Sequence, residues 1–97
     1  MAIYIAVPLT PTSTSLNGAV ESIVPEEDRY KLQADRGWLI RFRGTSVELS
    51  NHLGITSSDP ESKKSIGSAI IVPVSYYYGR GPTEMWEWIK VKLELER

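Results

Sequence analysis

The chain contains no cysteine and one histidine. Without a thiol there is no disulfide framework, no thiolate zinc site and no cysteine nucleophile, a composition that fits a reducing compartment. A single imidazole, His52, cannot build a zinc centre, which needs several His, Cys or carboxylate ligands converging on one ion. Long apolar runs are missing as well. Ile3 to Leu9 and Ala69 to Val74 fall far short of the ~20 residues of a membrane helix, and no basic segment precedes the first as a signal peptide requires. The expected location is the cytoplasm, without membrane association. Excess charge is the fourth absence. Eleven Lys and Arg against twelve Asp and Glu give a net charge of −1, so no overall field draws the chain to phosphate backbones or anionic lipid.

What remains is an ordinary globular mixture, 41% hydrophobic and 24% charged over 97 residues, enough for one core and not for two. Ile3-Tyr4-Ile5-Ala6-Val7 is β-branched and apolar throughout, which predicts a first strand in the middle of a sheet. Thr10 to Ser15 offers helix N-caps. Leu16, Ala19, Val20 and Ile23 then share one helical face up to Pro25, with Gly18 weakening that helix. From Arg29 the period becomes two: Tyr30, Leu32 and Ala34 alternate with Arg29, Lys31 and Gln33. Asp35-Arg36-Gly37 is turn chemistry, and Trp38 to Arg43 completes a hairpin with Ile40 and Phe42 facing the core.

Thr45-Ser46-Val47-Glu48 is a capping box that opens a second helix, with Leu49 and Leu53 on its face and Gly54-Ile55 closing it. Residues 56–67 have no period and read as a mobile loop. Ser68 to Tyr78 reads as strand four, with Ile70, Val72, Val74 and Tyr76 on one face. Pro73 requires an edge or a bulge there, because it cannot donate to a ladder. Pro82-Thr83-Glu84 looks like a helix start. The segment from Thr83 to about Leu93 is read as helix, and a C-terminal strand exchanged in a dimer is the alternative.

The order β, α, β, β, α, β is that of the split βαβ, or ferredoxin-like, sandwich, here with an additional C-terminal helix. The expectation is therefore one α+β domain over 1–97, with strands in the spatial order four, one, three, two. Two helices would cover one sheet face. The other would carry Tyr4, Leu39, Ile71 and Tyr77, too apolar to stay wet, so the Trp-rich C-terminal segment or a partner subunit should cover it.

The stretches GTSVELSNHLGI, GSAIIVPVSYYYGR and MWEWIKVK resemble parts of a group of small bacterial proteins of unknown function that end in a Tyr-Tyr-Gly-Arg turn and a Trp-Glu-Trp helix. That resemblance implies a helix at the C-terminus and brings no activity. The element order is also similar to that of ferredoxin-like CRISPR-associated small nucleases, which carry an Asp at the end of strand one. Val7-Pro8-Leu9 stands there instead, which argues against that activity.

Three constellations are candidate sites. In Tyr77-Tyr78-Gly79-Arg80-Gly81-Pro82-Thr83, a guanidinium and a helix N-terminus next to stacking rings would suit a nucleotide or phosphorylated ligand, held by Tyr77, Tyr78, Arg80 and Thr83. Arg80 pairing with Glu84 or Glu87 is the plainer reading. Arg29, Lys31, Arg41 and Arg43 would form a basic face of the hairpin on the side of Leu39, suited to single-stranded nucleic acid, or else a solvated face. Trp86 and Trp88, two positions apart, cannot both face inward on one helix. With Leu39 and Ile71 they form the expected interface to a second copy or a protein partner. Glu26-Glu27-Asp28 reads as a solvated acidic turn and His52 as a capping residue. No nucleophile and base stand at recognisable spacing. Neither metal nor cofactor is implied, and the leading expectation is a non-enzymatic interaction module that self-associates.

Overall fold

The computed structural model describes residues 2–9, 14–56, 68–75 and 79–94. Its elements are β1 (Ala2–Pro8), α1 (Thr14–Ile23), a 3-10 turn (Glu26–Asp28), β2 (Arg29–Lys31), a second 3-10 turn (Gln33–Asp35), β3 (Trp38–Phe42), α2 (Ser46–Leu53), β4 (Ala69–Pro73) and α3 (Thr83–Glu94). The strands make one sheet in the order β2-β3-β1-β4, antiparallel at every pairing. Read from the other edge, that is the order four, one, three, two expected from the sequence. β1, apolar at every position, lies between β3 and β4, and the proline-bearing β4 lies at an edge.

Two apolar layers pack on the sheet. On one face Tyr4, Ala6, Trp38 and Ile40 meet Leu16 and Val20 of α1 and Leu49 and Leu53 of α2. On the other, Ile3 and Leu39 meet Ile89 of α3, with Met85, Trp86 and Trp88 packed around them. Complete burial of side chains of this size contributes about 1.5–3 kcal/mol each, and Ile3, Ile40, Leu49, Leu53 and Val20 are all fully buried.

Local chemistry fixes the helix ends. The Thr45 hydroxyl accepts from the Glu48 backbone N–H at 3.1 Å, and the Glu48 carboxylate accepts from the Thr45 N–H at 3.2 Å. At the far end Gly54 takes φ 83°. The Gly54 N–H then bonds to the Asn51 carbonyl at 3.1 Å and the Ile55 N–H to the Ser50 carbonyl at 3.0 Å. That is the two-bond closure a left-handed residue permits, and Ile55 packs back on the core as expected.

Several expectations need correction. β2 ends at Lys31, and Gln33–Asp35 is a 3-10 turn in which Ala34 (φ 60°) and Asp35 (φ 54°) are left-handed. The pattern of period two runs into the turn because nothing in Gln33-Ala34 marks a left-handed bend. Hairpin bonding persists one step further through the Leu32 N–H to the Gly37 carbonyl at 2.9 Å, and Leu32 packs beneath α3 while Ala34 is exposed. β4 ends at Pro73 instead of continuing to Tyr78; Tyr76 to Tyr78 lie outside the described residues. The expected mobile loop, Thr56 apart, lies outside them too.

Face assignments change as well. Tyr4 is paired with Ile40, and Ala6 with Ile71, so Tyr4 and Ile71 face α1 and α2, not the same side as Leu39. The Tyr4 hydroxyl donates to the Gly44 carbonyl. In a strand apolar on both sides, register alone decides which residues face which layer. The C-terminal segment is a helix, and it covers the second sheet face over Leu39, which is only 3% exposed. Among the described residues no helix is long and apolar enough to cross a membrane.

Candidate functional site

The four basic residues of the hairpin do not share a face. Arg29 is paired with Ile40 and Lys31 with Trp38, which places both on the α1/α2 side, whereas Arg41 is paired with Ile3 on the α3 side. Arg29 donates to the Val24 carbonyl and, at 3.2 Å, to the Glu21 carbonyl, so its charge closes the C-terminal end of α1, where cations are favoured. Arg41 pairs with Asp28 at 3.2 Å, both side chains being mostly covered. Lys31 pairs with Asp35 at 2.8 Å and sits over the Trp38 ring, 5.9 Å from its centroid. The hydrogen bond and charge of Asp35 raise the Lys31 pKa, and Lys31 lowers that of Asp35. Arg43 is exposed beside a cleft of about 270 Å³ that also takes in Phe42 and His52. The His52 ring lies 6.0 Å from that of Phe42. A continuous basic stripe for a nucleic-acid strand is absent from the described hairpin.

Arg80 and Thr83 are exposed at the entry to α3, and Tyr77 and Tyr78 lie outside the described residues. Glu84 and Glu87 face a groove shared with Glu26, Glu27 and Trp88. The turn itself is held by the Trp86 indole N–H, which donates to the Gly81 carbonyl at 3.2 Å, and by Met85 and Trp86 N–H groups bonded to the Pro82 carbonyl. Among the described residues no group of three or more His, Cys, Asp or Glu could hold a metal ion.

Both helix tryptophans pack inward, contrary to the expectation that one is turned out. Ile89 points straight at the sheet, and Trp86 and Trp88 lie on its two flanks, each half-buried against the layer of Ile3 and Leu39. Trp88 reaches Tyr30 with ring centroids 6.2 Å apart. Long side chains can fold down both shoulders of a helix, which a simple inward-or-outward count of positions misses. Of the four expected interface residues, Leu39, Trp86 and Trp88 therefore belong to the packing beneath α3, and Ile71 to the opposite layer.

The uncovered apolar surface lies elsewhere. α3 packs over Ile3 of β1, Tyr30 of β2 and Leu39 of β3, and reaches Val74 just past the end of β4. On that face Ile70 is 47% exposed and Val72 42%, each opposite an apolar residue of β1, Val7 and Ile5. On the other face a shallow cleft of about 390 Å³ runs between α2 and β4, lined among others by Val47, Ser50, Ala69 and Ile71; Val47 is 65% exposed. Ile70 and Val72 were legible as one face of strand four. What the sequence could not show is that α3 would leave them bare.

Backbone geometry completes this surface. The Val74 N–H bonds to the Ile3 carbonyl and the Leu9 N–H to the Ser68 carbonyl. With the register Ile5↔Val72 and Val7↔Ile70, alternation turns the backbone groups of residues 68, 70, 72 and 74 toward β1 and those of Ala69, Ile71 and Pro73 outward. Pro73 thus costs the sheet no hydrogen bond. Ala69 and Ile71 present N–H and C=O groups to an edge that no described strand pairs. No family model, curated protein or solved structure matches the chain.

Proposed function

We propose that the chain is a non-enzymatic interaction module that self-associates, built on a ferredoxin-like βαββαβ core with a third helix added on the opposite face. The element order, the strand order four, one, three, two, and the placement of α1 and α2 on one face support the fold reading. One observation carries the functional reading: a strand edge that no described strand pairs, flanked by exposed Ile70, Val72 and Val47. Exposed apolar side chains beside a free edge are the usual mark of a binding surface, since natural edges are otherwise blunted by charge or cover. The test is light scattering on the purified chain across a concentration series. A mass that rises toward twice that of the monomer supports the reading, and a monomer at every concentration overturns it.

A further inference from the structure

We infer that the cleft between the C-terminal end of α1, the end of β3 and the last turn of α2 binds a small organic carboxylate, a monoanion with an apolar body, whose carboxylate rests on Arg43. The site is separate from the β4 edge and stands whether or not the chain self-associates.

The fold does not use up the cations of this cleft. Helix C-terminal ends call for positive charge or N–H donors, and both ends that reach the cleft have theirs. Arg29 donates to the Glu21 and Val24 carbonyls at the end of α1. The Gly54 and Ile55 N–H groups bond to the Asn51 and Ser50 carbonyls of α2. Asp28, on the lining of the cleft, is paired with Arg41. Glu48, the carboxylate of α2, accepts from the Thr45 N–H in its own capping box. Arg43 is then left exposed on the lining, its side chain without an ion pair or hydrogen bond among the described residues. The exposed His52 imidazole adds a polar group beside it.

Charge and shape select the ligand. The Arg41 and Arg43 guanidinium groups against the single Asp28 carboxylate leave the lining one positive charge, counting the imidazole as neutral. That matches a monoanion better than a dianionic phosphate. A guanidinium also offers the parallel N–H donors that fit both oxygens of a carboxylate. The remaining lining is apolar: Ile23, Pro25, Phe42 and the buried Val24, a surface that only a ligand with a carbon body can cover. At about 270 Å³ the cleft lies below the ~300–1,000 Å³ of sites for drug-sized ligands, so the body is a single ring or a short branched chain. The groove at Trp88 carries four glutamates on its lining, and the cleft between α2 and β4 carries no charged residue. Of the three, this cleft alone offers an anion a positive wall.

The probe is benzoate, titrated into the isotope-labelled full chain and followed by amide NMR shifts. Saturable shifts confined to the surroundings of Val24, Phe42, Arg43 and His52 are expected, at roughly millimolar affinity for a ligand of so few atoms. Arg43→Gln, checked for folding by circular dichroism, should weaken binding about tenfold or more. Arg36→Gln, which removes an exposed charge from the hairpin turn, should leave it unchanged. Acetate has the charge without the ring and benzamide the ring without the charge, so each should shift these amides far less at the same concentration. No saturable shift with benzoate, or the same titration in Arg43→Gln as in the parent, overturns the site. Acetate or inorganic phosphate binding as well as benzoate overturns the ligand class, and benzamide binding as well overturns the part given to Arg43.

Discussion

The indole N–H of Trp38 donates to the Asn17 side-chain oxygen at 2.8 Å, tying the first residue of β3 to the middle of α1. Trp38 is 4% exposed, so this donor has left water and needs its partner. The Asn17 side chain also reaches the Asp35 carboxylate, so one amide links α1 to both sides of the hairpin turn. Asn17→Ala strands the indole donor, which costs about 1–3 kcal/mol, offset by the better helix propensity of Ala, worth about 0.6 kcal/mol. Urea denaturation should show a net loss of roughly 1 kcal/mol with an unchanged slope. No loss would mean that the bond is not maintained in solution.

Gly37 governs the other side of that turn. It has φ 133°, and a Cβ placed on it would lie 2.2 Å from the Ala6 carbonyl oxygen. Neither backbone can move without opening the β1–β3 ladder. Gly37→Ala combines backbone strain with overpacking and should cost roughly 3 kcal/mol or more. The measurement is the thermal midpoint, and a change within ordinary surface-mutation scatter would contradict the close approach.

The two turns show why some of this architecture is legible in the residues and some is not. Thr45 and Glu48 close their capping box through atoms three residues apart, and Gly54 and Ile55 close α2 through the same local logic, so sequence suffices for both ends. Strand order follows from handedness and from the contrast between an all-apolar β1 and a proline in β4. The end of β2 depends instead on Ala34 and Asp35 adopting a left-handed bend; Asp tolerates that conformation, but Ala does not favour it, so nothing at position 34 announces the bend. The basic face failed for a similar reason. Placing Arg29 with Ile40, not with Leu39, is a matter of one residue of register, and that single step separates Arg29 and Lys31 from Arg41. The uncovered strip at Ile70 and Val72 depends on where α3 crosses the sheet, a tertiary fact that no local pattern encodes.

Gly18 sits in α1 on the solvent side, and a Cβ there would meet nothing within 4 Å. Replacing it with Ala removes conformational freedom from the unfolded chain and improves helix propensity without a steric penalty. Gly18→Ala should stabilise the protein by about 0.5–1 kcal/mol, read as a higher urea midpoint.

Asp35 titrates below the ordinary carboxylate value of 3.8, first because Lys31 donates a hydrogen bond to it and then because of the Lys31 charge. A carboxyl whose pKa is lower in the folded than in the unfolded state contributes stability that is present above the unfolded value and is lost as pH falls through the folded one. The pair is solvent-exposed, so salt should weaken it. Carboxyl carbon titration by NMR should give Asp35 a midpoint below the ordinary range, moving upward in Lys31→Met or at high ionic strength. An unmoved midpoint in Lys31→Met would show that Lys31 is not its partner.

Trp88 discriminates between two places for a self-association contact, the β4 edge and α3. It packs against the Ile3 and Leu39 layer and Tyr30, with the Lys92 ammonium 5.9 Å from its ring centroid, so it belongs to the seal between α3 and the sheet. Complete loss of a buried aromatic costs about 3–5 kcal/mol, and a half-buried one correspondingly less, roughly 2 kcal/mol. Trp88→Ala should lower stability by that amount in urea denaturation, while the self-association constant measured by light scattering on the folded variant stays unchanged. Trp88→Phe should recover most of the loss, since it keeps a ring against Tyr30. A Trp88→Ala variant as stable as the parent but monomeric would move the contact from the β4 edge to α3, because a side chain that seals an internal layer cannot be removed without a cost to folding.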